Sequence, residues 1–422
     1  MSDHTTAIVP LDSWCYSAPE LLSAGRPVDI GLLAEALVYY DSVLINVATQ
    51  PQLAEILRWF LERGTLRELL ALIRGGIVRF YDYAFSTAAV LDSGTGRFSI
   101  WNIQDQAQAE PETFEQRFLY HRSVEELFPN SRQRADLYKA FRGRVIEVKA
   151  KEFGRAVDEA REDYGTPRRN ALILQAFADE LYRMRGLGKA PEITTIVERL
   201  GDGTARRITW NVDFAELARI AGPELNFGLG TPLTAGALSN RLIWSAAQLG
   251  CDLYLARPMA MLVGDKLYET TERAARKGSI IEELRSKVEF PDIRSLVNSD
   301  GLTFDAVLQV RDRGCKFRRW LQEEADRDRD AIIAYHNEVA RELGLIAVGR
   351  KVLSMFGVMG GGALGSVVGA AVAGPAGAAL GGAVGTASGY AVDVAAKIGA
   401  DWKPVVFGEW LRHRIQKLVQ EV

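Results

Sequence analysis

Two glycine ladders near the C-terminus constrain this chain more than any other feature of its sequence. Each ladder has four glycines spaced four residues apart: Gly357, Gly361, Gly365 and Gly369, then Gly377, Gly381, Gly385 and Gly389. Residues four apart lie along one stripe of an α-helix, so each ladder predicts a helix with a groove that has no side chains. Two such grooves would let the backbones of neighbouring helices approach closely.

The length and charge of the two arms favour a hairpin that enters a membrane. Gly374-Pro375 separates the ladders, at the point where a tight turn is expected. The arms, 352–373 and 376–396, each approach the ~20 residues that cross ~30 Å of hydrocarbon. No charged residue occurs between Lys351 and Asp393.

Basic residues flank both ends of this hairpin and predict its orientation. Arg350 and Lys351 precede the first arm, and Lys397 follows the second. Because positive charge favours the cytoplasmic side, we expect both ends inside and the turn directed outward.

The composition of the arms leaves a second interpretation open. They consist mainly of Gly, Ala, Val and Ser, and Asp393 lies within the second arm. Strong insertion comes from larger apolar residues, and glycine is a poor helix former. The alternative is therefore a glycine-rich hairpin buried in a soluble protein, where it serves packing or oligomerisation.

The segment from Val352 to Ala396 resembles the glycine-zipper segments of membrane-active proteins, including toxin-like and stress-effector tails. The resemblance implies close helix packing in a lipid bilayer and a homo-oligomer formed through the hairpin. It covers this segment alone. After the hairpin, Trp402, Trp410 and several basic residues predict an amphipathic helix, either on a cytoplasmic membrane surface or packed against the body.

The remainder of the chain has the composition of a globular protein. Its 422 residues are 48% hydrophobic and 25% charged, with a net charge of -3, which makes a nucleic-acid partner improbable. The three cysteines and four histidines are scattered, so the sequence predicts neither a disulfide framework nor a metal site. The N-terminus lacks the pattern of a secretory signal, and we expect a cytoplasmic body.

Periodicity and turn signals predict a mixed α/β (α+β) head, residues 1–265. The pattern predicts a helix over Ile30 to Tyr39, a buried strand at Val43 to Ile45 and another at Asp252 to Leu255. It also predicts a first β-hairpin from Ile77–Phe85 and Phe98–Trp101, and a second from Ile193–Glu198 and Arg207–Trp210. A largely helical connector (266–346), the glycine-zipper hairpin (347–400) and the C-terminal helix (401–422) follow.

A metal-dependent nuclease is the one enzymatic alternative that the residues suggest. Asp136, Glu147 and Lys149 match a loose D…ExK pattern, in which two carboxylates hold Mg²⁺. The match lies in a charged stretch that reads as helical, whereas the chemistry needs a strand. Asp41 and Asp252 precede two predicted strands and offer a second acidic pair. No catalytic residue, metal ligand or cofactor is assigned on these grounds.

The sequence therefore favours a membrane-associated protein with a cytoplasmic sensing or docking head. Its hairpin would insert at the cytoplasmic face of the inner or plasma membrane, either constitutively or after a trigger, and would oligomerise as a membrane-disrupting defence or toxin-like effector. A regulatory protein could bind the head. The alternatives are the soluble interaction protein and the nuclease.

Overall fold

A five-stranded parallel sheet organises the part of the chain that the structure describes. The computed structural model describes residues 5–318, apart from 12–20, 22–27, 48–49, 84–85, 93–97, 106–112, 149–153, 202–204, 226, 229, 257, 269–291 and 316–317. The sheet has the order β6-β3-β2-β1-β9, and every neighbouring pair is parallel. Its strands are β1 (Thr6–Pro10), β2 (Ser42–Val47), β3 (Val78–Tyr83), β6 (Val145–Val148) and β9 (Asp252–Leu253).

A second, antiparallel sheet of four strands has the order β4-β5-β8-β7. Its strands are β4 (Ser86–Asp92), β5 (Phe98–Asp105), β7 (Thr195–Arg199) and β8 (Arg206–Trp210). The helices are α1 (Ile30–Tyr39), α2 (Gln50–Glu62), α3 (Leu66–Arg74), α4 (Phe114–Tyr120), α5 (Arg122–Leu127), α6 (Ser131–Phe141), α7 (Gly154–Gly165), α8 (Pro167–Met184), α9 (Phe214–Ala221), α10 (Gly230–Leu249), α11 (Met259–Tyr268), α12 (Ile293–Asn298) and α13 (Phe304–Arg313).

Helix α1 is buried on all sides, and its sequence explains why. All ten of its residues are buried, and apolar side chains occupy every face, as expected of a helix enclosed by other elements. The Asp29 side chain caps its N-terminus by accepting from Leu32 N. Helices α12 and α13 both pack against α1. The C-terminal helices thus cover a helix that itself lies against the sheet.

The two faces of the parallel sheet carry separate hydrophobic cores. Alternate residues of a strand point to opposite faces, so Val43 and Ile45 join one core and Leu44 joins the other. The first core, which contains residues of α1 to α6, α12 and α13, is the α1 face. The second contains residues of α7 to α11 and of the antiparallel sheet, and is the α10 face. Both faces are covered, as is usual for a parallel sheet.

The structure confirms the mixed α/β character and much of the local prediction, and it shows that the main sheet is parallel. Helix α1 has the predicted bounds, and the second hairpin forms from β7 and β8. The first hairpin differs from its prediction. Within the run 77–85, residues Val78–Tyr83 form β3 of the parallel sheet, and the hairpin consists of β5 and of β4, which begins after that run at Ser86.

A strand interrupts the stretch from Val124 to Arg185 that reads as mostly helical. Residues Val145–Val148 form β6, which pairs in parallel with β3 at the edge of the sheet. Charged residues in the surrounding sequence conceal the short apolar pair Val145-Ile146, and tertiary pairing with β3 determines its conformation.

Candidate functional site

The attachment of α12 to α1 depends on a buried carboxylate, Asp29. One Asp29 oxygen accepts from Arg294 Nε at 2.7 Å and lies 2.5 Å from Arg294 Nη2, and the other accepts from Asn298 Nδ2 at 2.7 Å. That second oxygen also accepts from Leu32 N at 2.9 Å as the helix cap. Asp29 is 0% exposed and Arg294 is 6% exposed. A buried ion pair of this kind is stable only because its hydrogen bonds are satisfied.

Glycine at position 31 permits the close approach of α12 to α1. Gly31 N donates to Asn298 Oδ1 at 2.8 Å. A Cβ atom at this position would lie 2.1 Å from the Arg294 carbonyl oxygen and 2.8 Å from the Asn298 side chain. The backbones could not keep this arrangement with any larger residue at position 31.

Arg311, on α13, binds the C-terminal end of α1. Its Nη1 atom donates to the carbonyls of Leu37 and Tyr40, both at 2.8 Å, and Nη2 donates to the Asp41 carbonyl at 2.5 Å. The last carbonyls of a helix lack partners within the helix and attract a cation. Burial, together with nearby Arg318, lowers the pKa of Arg311 to about 10, so the guanidinium stays charged at neutral pH.

Arg318 extends this contact to the sheet. Its Nε donates to the Asp41 carboxylate at 3.1 Å, and its Nη1 donates to the Arg311 carbonyl at 2.7 Å. The other Asp41 oxygen accepts from Thr5 N at 3.3 Å and Thr5 Oγ1 at 3.2 Å, next to the start of β1. Asp41, which directly precedes β2, therefore contacts both Thr5, which directly precedes β1, and Arg318, the last residue that the structure describes.

Six of these residues form what we call the tail clamp. Its inner half comprises Asp29, Arg294 and Asn298, and its outer half comprises Asp41, Arg311 and Arg318. The segment beyond, 319–422, is the tail and contains both glycine ladders. The clamp joins α12 and α13 to α1 and to the residues that precede β1 and β2, and this long-range connection makes it the candidate functional site.

A second polar centre lies on the α10 face of the sheet. Lys266, on α11, places its Nζ atom 2.7 Å from Asp163 Oδ2 and 3.6 Å from Glu159 Oε2, and it donates to Asn240 Oδ1. Asn240 Nδ2 donates to the same Asp163 oxygen at 2.8 Å, and Trp244 Nε1 donates to Glu159 Oε1 at 2.9 Å. We call Glu159, Asp163, Asn240 and Lys266 the lysine network.

The lysine network joins three helices, α7, α10 and α11. Its Lys266 side chain is 8% exposed and has three acceptors around it, which suits a structural cation better than a nucleophile. Burial is the largest cause that raises the pKa of Glu159, while Lys266 and the Trp244 hydrogen bond act in the opposite direction. Asp265, the next residue to Lys266, is paired with Arg168 and Arg169 on α8.

The two described residues of the proposed nuclease pattern lie on different elements. Asp136 lies on the exposed face of α6, where it pairs with Lys139 at 2.6 Å. Glu147 lies on β6, which corrects the helical reading of this stretch and supplies the strand that the pattern requires, and its side chain is exposed. Lys149 lies outside the described residues. The residues that the structure describes contain no group of three His, Cys, Asp or Glu side chains arranged to hold a metal ion.

The second acidic pair, Asp41 and Asp252, lies in one sheet as expected but on strands that are not neighbours. β1 lies between β2 and β9, and Asp252 is in register with Ala7. Asp41 is engaged by Thr5 and Arg318. The structure therefore assigns Asp41 to the tail clamp.

The residues of the predicted hairpin lie outside the described part of the chain. These are the eight ladder glycines, the turn Gly374-Pro375 and the flanks Arg350, Lys351 and Lys397. The sequence suggests an acidic metal site for Asp41 and does not single out Asp29, Arg294 or Arg311. Asp29 is recognisable as a helix cap, since it directly precedes an apolar helix. Nothing in the sequence marks Arg294 as the distant partner of Asp29, or Arg311 as the partner of the carbonyls at the end of α1.

Comparisons with known proteins leave the family open. No protein-family model matches this chain, and neither a curated protein nor a solved structure is significantly similar to it. Among the helices within the described ranges, none combines the length and apolar character needed to span a bilayer.

Proposed function

We propose that this protein is a membrane-associated effector in which an α/β head holds a C-terminal glycine-zipper hairpin. The observation that carries the proposal is the doubled glycine ladder within a stretch that has no charge between Lys351 and Asp393. In this proposal the ladders let helices of several protomers pack closely in the bilayer, where their assembly disrupts the membrane.

The tail clamp supports the proposal from the side of the head. Arg311 and Arg318 bind the end of α1 and the residue that precedes β2. A change in the head that moves either element would therefore move the helix that leads, in sequence, toward the glycine ladders. The head could thus sense or dock a partner and transmit that event to the hairpin.

Liposome leakage with two matched variants tests the ladder mechanism. The ladder variant replaces one glycine of each ladder, and the control replaces a neighbouring glycine off each ladder: Gly361→Leu with Gly381→Leu, against Gly360→Leu with Gly382→Leu. Both variants have the same composition and mean hydropathy. They differ only in whether leucine fills the groove.

We expect the ladder variant to release dye about tenfold more slowly than the control, the effect of losing about 1–2 kcal/mol of helix association. Carbonate-resistant fractionation of the full chain should recover both variants with the membrane. Equal leakage by the two variants would contradict the zipper mechanism. Full recovery of the wild type in the soluble fraction, without leakage, would favour the soluble interaction protein.

A further inference from the structure

We propose that a groove beside α9 docks a partner protein by accepting one of its lysine or arginine side chains. The groove lies between α8, the segment before β7, the turn after β8 and α9. We call it the acidic groove and define it by six of its lining residues: Ala178, Tyr182, Ile193, Asp213, Glu216 and Leu217. The inference goes beyond the proposed function and does not depend on whether the hairpin enters a membrane.

Side-chain contacts to the backbone hold the walls of the acidic groove in place. Gln175, on α8, donates to the Pro191 carbonyl at 3.2 Å and accepts from Ile193 N at 2.8 Å. Asn211, after β8, accepts from Thr194 N at 2.9 Å. The groove is therefore formed before a partner arrives, which lowers the cost of binding.

The size and the floor of the groove suit one long side chain. Its volume is about 210 Å³, below the roughly 300–1,000 Å³ of sites for small molecules and cofactors. Ala178, Ile193 and Leu217 are buried and supply apolar surface. Lysine and arginine have aliphatic stems that pack on such surface while the charged end stays in water.

The edge of the groove carries negative charge. Asp213 is the N-cap of α9, and Glu216 is exposed in the first turn of that helix. One Asp213 oxygen accepts from Ala215 N at 2.8 Å, and Glu216 has no hydrogen-bond or ion-pair partner among the residues that the structure describes. Two carboxylates outweigh the partial positive charge of about half a unit at the start of a helix. A cation is therefore the ligand that this edge attracts.

An apolar side chain next to the groove favours a polypeptide over a small amine. Leu187 is 54% exposed, and its backbone N donates to the Tyr182 carbonyl at 2.9 Å, so it lies at the end of α8 that borders the groove. A small amine would fill the groove and leave Leu187 in water. A peptide with an apolar residue close to a basic one would cover both, as in interfaces where contacts around an arginine anchor exclude water.

Selection of displayed peptides on the full-length protein, kept in solution by a mild detergent, tests this docking site. Random dodecapeptides are selected on wild type after counter-selection on Glu216→Lys, and one enriched peptide is synthesised for calorimetric titration. The groove variant combines Glu216→Gln with Asp213→Asn, because asparagine caps a helix as well as aspartate does. The control combines Asp136→Asn with Asp305→Asn, which removes two charges from exposed helical positions outside the groove.

We expect the enriched peptides to carry arginine or lysine close to an apolar residue. The groove variant should bind the synthetic peptide about three- to tenfold more weakly than wild type, the effect of losing one or two partly exposed ion pairs. The control should bind as wild type. Leu187→Ala should also weaken binding, whereas Ile196→Ala should not, although Ile196 is 65% exposed. Unchanged thermal unfolding of each variant would show that the fold is intact.

Four outcomes would overturn the inference. The enriched peptides lack a basic residue, they bind the groove variant as tightly as wild type, or no peptide is enriched. In the fourth, the small alkylguanidine agmatine binds as tightly as the peptide, which would assign the groove to a small amine. None of these measurements involves a lipid, so their failure is distinguishable from failure of the leakage experiment.

Discussion

The tail clamp and the lysine network are both buried ionic centres, but they connect parts of the chain at very different separations. Lys266 lies about a hundred residues from its carboxylate partners, Glu159 and Asp163, on helices that share the α10 face. Arg294 lies 265 residues from Asp29, and Arg318 lies 277 residues from Asp41.

This difference separates two uses of buried charge. The lysine network fixes the mutual orientation of three helices within one layer: Lys266 contacts Asp163 and Asn240 directly and lies 3.6 Å from Glu159 Oε2. The tail clamp instead joins the C-terminal helices to the first helix and the first strands. A buried ion pair adds little net stability by comparison with apolar packing but strongly disfavours other arrangements. The clamp therefore holds α12 and α13 on α1, while the network holds together the helices of the α10 face.

The largest expected effect comes from removing the C-terminal helices altogether. A chain truncated after residue 291 loses buried Ala306 and six larger buried apolar side chains, each of the six worth about 1.5–3 kcal/mol: Ile293, Val297, Leu302, Phe304, Val307 and Val310. This loss is comparable with the whole stability of a domain, about 5–15 kcal/mol. Thermal unfolding followed by circular dichroism should show no cooperative transition, whereas truncation after residue 318 should leave one. A stable head ending at 291 would make α12 and α13 dispensable.

Lys266→Met should be the next most harmful change, because it leaves the Asp163 and Glu159 carboxylates buried without their cation. Breaking a buried pair from one side costs about 3–5 kcal/mol. Urea denaturation would give the loss in the free energy of unfolding. The matched variant adds Asp163→Asn and Glu159→Gln, which removes the charges as well. It should recover much of the loss, and failure to recover would show that the network acts mainly through packing.

Gly31→Ala should destabilise the clamp side of the molecule by about 1–3 kcal/mol, the usual effect of overpacking a tight contact. The new methyl group would collide with the Arg294 carbonyl, so α12 has to move. Gly64→Ala is a useful contrast, since a Cβ there meets no atom within 4 Å and only the positive φ is strained. Hydrogen exchange should increase in α12 for Gly31→Ala alone. Equal exchange in both variants would argue against a close contact at Gly31.

The smallest expected effect is that of Glu159→Gln on the way in which the free energy of unfolding depends on pH. Burial raises the pKa of Glu159 in the folded state above its unfolded value. The contribution of Glu159 to stability is therefore fully present below the unfolded pKa and decreases as pH rises through the raised folded pKa. Glu159→Gln should abolish this decrease, so that the difference in the free energy of unfolding between variant and wild type changes with pH. An unchanged pH profile in the variant would show that Glu159 does not titrate in this range.

Local signals in the sequence predicted many of the elements, because capping and periodicity act over a few residues. The apolar run Ile30–Tyr39 predicts α1, and the residue types at Asp29 and Thr303 favour the starts of α1 and α13, where their side chains accept from Leu32 N and Ala306 N. The strand that pairs with β5 was not predictable in this way. The run 77–85 has high β-propensity and reads as one arm of a hairpin, and only the pairing of β3 with β2 and of β4 with β5 shows which segment forms that arm.

The candidate site was less predictable than the fold. Arg294, Arg311 and Arg318 lie in ordinary charged stretches, and a solvated helix face would have the same pattern. Their burial depends on partners more than 260 residues away, such as Leu37 and Asp41. Periodicity over a few residues cannot predict a contact between residues that are so far apart in the sequence.

The sequence by itself determined the glycine ladders, the charge-free stretch around them, the caps and the mixed α/β character, since each depends on residue type and short spacing. Only the tertiary structure decided that α12 and α13 belong to the core of the head and that Arg311 and Arg318 bind residues at the end of α1. The physical reason is that a backbone carbonyl or a carboxylate accepts from any suitably placed donor. The fold alone decides which donor arrives.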